Sequence, residues 1–362
     1  MVEEFFCEAE RLRERAAYRD ALTLYKKALN RYRRSGDRRG MLDCLVSLGD
    51  THRMTGDFVR SSDCYIRALA LSRRLKDRLT RADALAGLGL SRRALGEWKN
   101  ALKLFADATD IYRKEADAHG VAFTQWARAG AFRVGGDLKN SLRSFRSARK
   151  IFVSLGDDPD VKRGVAYCLC GLGGVSRVSG LYNDSMVRYT SANRLLLSLN
   201  DRFGVAYSHC GIGNAFRMKG DYVNAVKHLR RAERIYQRIG DIVSYSYTLW
   251  SLGMTHLLNR RFRRAETYFG TARAQFRKTR DIRGIIYCQL GLGETALLKR
   301  DVKRAKTFLR SALRDSIEHR FALETCHSRI LLAYMDNKEN ENGCYRAIGS
   351  RLRFRGLPFN IP

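Results

Sequence analysis

The run GVAYSHCGIGNAFRMKG at 204–220, followed by DYVNAVKHLRRAERIYQRIGD at 221–241, decides the fold. Apolar and small residues recur at three- and four-residue spacings in both halves, the stripe of an amphipathic helix. Gly220 closes the first half and Asp221 opens the second. A glycine accepts the left-handed backbone that ends a helix, and an acid accepts the orphan N–H groups that begin one. The stretch therefore predicts two helices, A and B, joined by a tight turn. The same junction returns at Gly56-Asp57, Gly96-Glu97 and Gly136-Asp137.

Working outward, helix B carries a repeated alanine at Ala28, Ala68, Ala108, Ala148, Ala192, Ala232, Ala272 and Ala312. Every step is 40 residues except one of 44. A period of this length means one supersecondary unit stacked on itself, with no single central core. Two residues past each junction stands an apolar wedge (Phe58, Trp98, Leu138, Tyr182, Tyr222, Phe262, Val302), and three residues later a small side chain. A large residue follows at Tyr65, Phe105, Phe145, Tyr189, Leu229, Phe269 and Leu309. Small residues let helix axes approach, and the large ones fill the gap between neighbours. Only three prolines interrupt 362 residues, which favours an all-α chain.

This arrangement resembles the tetratricopeptide repeat, position by position: Gly49, Gly89, Gly173, Gly213, Gly253 and Gly293 in helix A, then the small, large and alanine series in helix B. The 40-residue period is similar to the longer variant of Pins/LGN-type scaffolds and bacterial Rap-type regulators. Their unit resembles Gly211-Ile212-Gly213-Asn214, then Gly220-Asp221-Tyr222 and Ala225. The resemblance implies a right-handed superhelical solenoid of antiparallel helix pairs. Residues 1–335 are expected to hold about eight units and a capping helix at 321–335, with the extra four residues of the long step near 156–160. Residues 336–362 are expected to form a polar loop and a basic, apolar tail. The tail is read either as a cap on the last helix or as a disordered docking segment. Ala129 departs from the pattern, standing where the helix A glycine belongs, with Gly130 beside it.

The resemblance also implies that helix A lines a concave face through positions spaced i, i+3, i+7 and i+10, one face of any helix. The first reads Phe123, Tyr167, Tyr207, Tyr247 and Tyr287, and the second includes Trp126 and Trp250. The third includes Asn214, where the related scaffolds hold a bound peptide backbone. The fourth reads Arg13, Arg53, Arg93, Arg133, Arg177 and Arg217. Arg13 apart, these residues form the candidate partner-binding set. Two readings of the arginines stand side by side. They contact an anionic ligand, or they pair internally with the acid opening helix B (Asp57, Glu97, Asp137, Asp221) or with Glu10 and Asp50. The Tyr row likewise either meets a ligand or packs against the next repeat.

The formal charge is +31, carried by 52 Arg and 16 Lys against 37 acids. Such a balance points to acidic protein segments, nucleic acid or anionic surfaces as partners. Nine scattered cysteines without a CxxC pair read as free thiols of a reducing, cytoplasmic compartment. The uncharged run Ile242–Asn259 lies in phase with the repeats and reads as a core helix, not a membrane span. The three acids at 157, 158 and 160 read as a solvated loop. Phosphate-loop, HExxH and GxSxG motifs are absent, and the seven histidines show no metal-ligand spacing. The expectation is a non-enzymatic scaffold without metal or cofactor. It would bind an acidic or mixed-charge peptide segment of another protein in a basic, aromatic-lined groove. The alternative is RNA in that groove, as in interferon-induced tetratricopeptide proteins. Self-association through the end repeats is a third possibility.

Overall fold

The computed structural model describes residues 2–337 and 343–362, and every element among the described residues is an α-helix. Unit 1 pairs α1 (Val2–Glu14) with α2 (Tyr18–Ser35), unit 2 α3 (Arg38–Met54) with α4 (Phe58–Leu75), and unit 3 α5 (Arg78–Ala94) with α6 (Trp98–Lys114). Unit 4 is α7 (Ala118–Gly135) and α8 (Leu138–Ser154), unit 5 α9 (Pro159–Val178) and α10 (Tyr182–Ser198), and unit 6 α11 (Arg202–Met218) and α12 (Tyr222–Ile239). Unit 7 is α13 (Ile242–Leu258) and α14 (Phe262–Thr279), and unit 8 is α15 (Ile282–Leu298) and α16 (Val302–Glu318). Helix α17 (Ala322–Met335) covers unit 8, and the short α18 (Gly343–Ala347) follows.

Aspartate starts most of these helices. Asp57, Asp137 and Asp221 each accept the backbone N–H three residues on, at 3.1, 3.0 and 3.0 Å, and Asp77, Asp117, Asp201, Asp241 and Asp281 do the same for helices A. In the long step, Asp158 caps α9 through Asp160 N and Val161 N, while Asp157 pairs with Lys162 at 2.9 Å and Asp160 with Arg163. All three acids of that loop are thus used by the start of α9.

The eight repeated alanines are all fully buried. Except for Phe145, each large residue of helix B lies over the helix A glycine of its own unit and, in several units, over a glycine of the next. A Cβ at Gly49 would fall 2.8 Å from the Tyr65 ring, and one at Gly87 only 2.3 Å from it. Tyr189 sits in the same way between Gly173 and Gly211, and Phe269 between Gly253 and Gly291. At Ala129 the scheme is shifted: Phe145 presses on Gly171 of the following unit. Helices A also touch one another in series, α5 with α7, α7 with α9, α9 with α11 and so on to α17, which places them on the inner radius. The run at 242–259 forms α13 and sits within this inner layer. Among the described residues no helix is long and apolar enough to cross a membrane.

The array then closes on itself, because the A–B turns of the early units dock on late helices. A Cβ at Gly56 would lie 2.8 Å from a Thr279 methyl and 2.9 Å from one of Val243. Trp98 Nε1 donates to the His319 carbonyl at 3.3 Å, and Gly136 rests against Ala322. The concave face thereby becomes a partly closed channel. The polar loop expected after residue 336 falls on 338–342, outside the described residues. Beyond it, residues 350–362 leave the outer surface and enter the channel.

Candidate functional site

Helices A of units 2 to 8 contribute inward faces to the channel, and what remains open is a cavity of about 360 Å³. Arg53, Arg93, Arg133, Arg177, Tyr207, Asn214, Tyr247, Trp250 and Tyr287 of the expected set line it. Arg217, Phe123, Trp126 and Tyr167 do not.

The arginines divide into three groups. Near the N-terminal end, Arg13 pairs with Glu10 and Arg53 with Asp50 at 3.0 Å; Tyr25 OH and Tyr65 OH donate to the same acids at 2.6 and 2.8 Å. Pairing with the acid that opens helix B does not occur, which corrects one of the two internal readings. Asp57, Asp137 and Asp221 fold back onto their own helix starts, and Glu97 takes Arg92 at 3.0 Å instead of Arg93.

The middle group, Arg93, Arg133 and Arg177, has no carboxylate within ion-pair distance among the described residues. Arg93 Nη1 reaches only the Ala127 carbonyl, at 3.4 Å. The Nε of Arg133, and both Nε and Nη1 of Arg177, are buried without a hydrogen-bond partner. Burial first, and the neighbouring Arg133 second, pull the Arg93 guanidinium down to about 10. Room for these heads comes from Gly130 and Gly174, the inward positions of the next unit: a Cβ at Gly130 would fall 2.3 Å from Arg93 Nη1. All three side chains are half-buried, and a cation partly removed from water without a counter-ion is costly.

Arg217 is the third case. It is fully buried, lies 5.6 Å from the Trp250 ring centroid, and donates from Nε and Nη2 to Asn214 Oδ1 at 3.2 and 3.1 Å. Burial, with repulsion from Arg177, draws it down to about 9. Asn214 spends its own amide on Cys210 O and Ser251 Oγ, both at 3.0 Å. Its head is therefore bound within the wall, held by the arginine one turn away.

The aromatic row is largely tied into the array. Phe123 stacks on Trp126 of the same helix at 5.7 Å, Trp126 meets the Tyr167 ring of the next helix A at 6.3 Å, and Trp126 Nε1 donates to the Tyr167 carbonyl at 3.3 Å. Tyr167 OH donates to Asp201 at 2.9 Å and Tyr247 OH to Asp281 at 3.1 Å, each reaching the cap of the next helix A. Tyr247 and Trp250 still show a face to the cavity, and Trp250 packs on Tyr287 at 4.7 Å.

Sequence reasoning missed three contributors. Arg283 enters from α15, held by Glu324 at 2.6 Å and by the Tyr287 hydroxyl at 3.1 Å. Asp281, raised to about 6 by burial, lies at the cavity edge. The third is Pro362, the inner end of the tail. For the tail a signal existed: Arg351-Leu-Arg-Phe-Arg355 alternates basic and apolar residues, the period of an extended strand with one buried face.

Residues 8–74 match the family model of the tetratricopeptide repeat. Over the described residues the array has a tetratricopeptide-like solenoid fold. Among solved structures it is similar to a Rap protein complexed with competence and sporulation factor (12% identity, 96% of each chain covered, TM-score 0.65). It is also similar to the Rap conjugation gene regulator of plasmid pLS20 in complex with the Phr* peptide (14% identity, 79% of this chain and 76% of that one, TM-score 0.66). A third is aspartyl phosphate phosphatase F from Bacillus subtilis (13% identity, 99% and 97% covered, TM-score 0.53). No curated protein matches the chain in sequence.

Proposed function

We propose that this solenoid is a non-enzymatic binding scaffold that takes an extended, acidic or mixed-charge peptide of a partner protein into its central channel. The observation that carries the reading is the arginine wall, Arg93, Arg133 and Arg177, which lines the cavity with no carboxylate partner among the described residues. A carboxylate entering there would satisfy guanidinium N–H groups that burial has already stripped of water, a gain of the kind that charge-assisted, bidentate pairs provide. Tyr207, Tyr247 and Trp250 would supply the apolar contact beside it. One of the structures sharing the fold is in complex with the Phr* peptide, which supports a peptide as the occupant. The likeness to a phosphatase rests on the fold alone.

The test is a fluorescence-anisotropy screen of extended Asp/Glu-containing peptides against their Asn/Gln isosteres and against a single-stranded RNA of equal length. The expected result is binding of the acidic set, lost at least tenfold in the Arg93→Gln/Arg133→Gln/Arg177→Gln variant, with a shallow salt dependence. Preference for RNA with a steep linear log–log salt slope would overturn the peptide reading, as would equal binding of acidic and neutral peptides.

A further inference from the structure

The segment 350–362 behaves as a ligand in every contact it makes. It enters beside the α9–α10 turn, where Ser350 Oγ donates to the Val178 carbonyl at 2.6 Å and Arg351 N to the Ser179 carbonyl at 3.2 Å. Arg351, Arg353 and Arg355 then face solvent while Leu352 and Phe354 are buried. Deeper in, Phe359 packs on Phe354, His327 and Tyr345 at 5.2, 5.7 and 6.4 Å between centroids. Its backbone N–H donates to Glu294 Oε1. Asn360 meets Arg217 twice: its Oδ1 accepts from Nη1, and its Nδ2 donates to the Arg217 carbonyl at 3.0 Å. Ile361 is fully buried, and Pro362 abuts the open cavity.

This mode of holding is that of a specific peptide. One backbone N–H is taken by a fixed carboxylate, and one side-chain amide is read by both a donor and an acceptor. Apolar side chains on either side fill pockets. The reading arginine belongs to the inward row at i+10, the same row as the arginine wall. Asn360 satisfies Arg217, while Arg93, Arg133 and Arg177 of the same row have no carboxylate partner among the described residues.

We propose that residues 350–362 are a built-in occupant of the peptide channel, and that the subsite formed by Asn214, Arg217 and Glu294 recognises an extended aromatic–Asn–aliphatic sequence. An external peptide gains the channel by displacing this segment. The open volume of about 360 Å³ stands at the low end for small-molecule pockets while the tail is seated. Tethering gives the tail an effective concentration on the order of millimolar, so it suppresses weak ligands and yields to those that also engage the arginine wall. This inference rests on the peptide-channel reading above.

The experiment uses the full chain and a fluorescein-labelled peptide of sequence RLRFRGLPFNIP, with one acidic peptide from the screen as a second probe. The Phe359→Ala/Asn360→Ala variant is expected to bind the labelled tail peptide at least tenfold more tightly than the unaltered protein. Adding Arg217→Gln to that variant is expected to remove the binding. The acidic probe should gain a similar factor in the double variant. Equal binding of the tail peptide by unaltered and double-variant protein would overturn the proposal, as would an acidic probe indifferent to the tail. Acidic probes that fail everywhere while the tail peptide still exchanges would sink only the acidic-partner reading. Should the double variant not fold, hydrogen exchange on the unaltered chain decides. Excess free tail peptide must raise exchange at 351–361, and an unchanged pattern marks the segment as fixed structure.

Discussion

Glu294 shows how the channel stores ionisation free energy in one residue. Both carboxylate oxygens are buried; Oε1 accepts from Phe359 N and Oε2 has no partner. Burial raises the group to about 8, and the Phe359 N–H and Arg217 only partly oppose this. The folded chain therefore holds a proton that the unfolded chain releases near 4.5. The resulting stability is greatest below about pH 4.5 and declines as the pH climbs to about 8, by linkage. Asp281, raised to about 6, adds a slope of the same sign at lower pH. Urea titrations at pH 6 and pH 8.5 should show the parent losing stability while Glu294→Gln changes much less; parallel losses would remove Glu294 as the cause. A second residue-scale effect lies at the A–B turns. Units 2 to 6 place Gly56, Gly96, Gly136, Gly180 and Gly220 at positive φ, but units 7 and 8 place Arg260 and Arg300 there, at φ of 55° and 65°. A Cβ in this conformation costs on the order of 1 kcal/mol, so Arg260→Gly should stabilise the protein by about 0.5–1 kcal/mol in the same titration.

At the scale of the element, the ring-between-glycines contact makes one substitution act with opposite signs. A Cβ at Gly211 would fall 2.2 Å from the Tyr189 ring, which Gly173 confines from the other side. Gly211→Ala should therefore cost about 1–3 kcal/mol as an overpacking change. Gly270, in α14, has nothing within 4 Å of its added Cβ. There the same change should gain about 0.5–1 kcal/mol from helix propensity. Thermal melts of the two variants test the pair, and a shared sign would contradict the packing scheme. This contact was legible in the sequence because it is local: one glycine and one large residue per period, sixteen positions apart as Gly49 and Tyr65 are. The inward arginines were legible for the same reason, through helical spacing. What each arginine pairs with was only half legible. Glu10 and Asp50 lie three residues before Arg13 and Arg53 and do take them. The helix B acids Asp57, Asp137 and Asp221 lie four residues after Arg53, Arg133 and Arg217, but capping a helix start outcompetes a flexible ion pair. Asn214 pointed to a ligand by position, yet Arg217 at i+3 claims its oxygen.

At the scale of the whole molecule, the decisive contacts join residues that no local pattern relates. Trp98 meets His319, Gly56 meets Thr279, and Asn360 meets Arg217. Their position depends on small rotations between units, summed over a full turn of the superhelix, and those rotations are not written in any single repeat. The closure has a thermodynamic consequence. An open solenoid unfolds as a chain of nearest neighbours and frays from its ends. Here the early turns are fastened to α13, α14 and the start of α17, so units 1 to 4 cannot leave without exposing late surface. The closed array should therefore melt as one cooperative unit despite its length, with a large urea m-value. Gly56→Val adds a branched side chain at positive φ against Thr279 and Val243, and Trp98→Ala removes the bond to His319. The double variant should keep its far-UV helical signal at low temperature while its radius of gyration by small-angle X-ray scattering increases. Its urea transition should broaden or split as the N-terminal units unfold first. A variant with the parent's radius and a single sharp transition would mean that neighbour stacking alone sets the shape, and that the channel is partly closed without being locked.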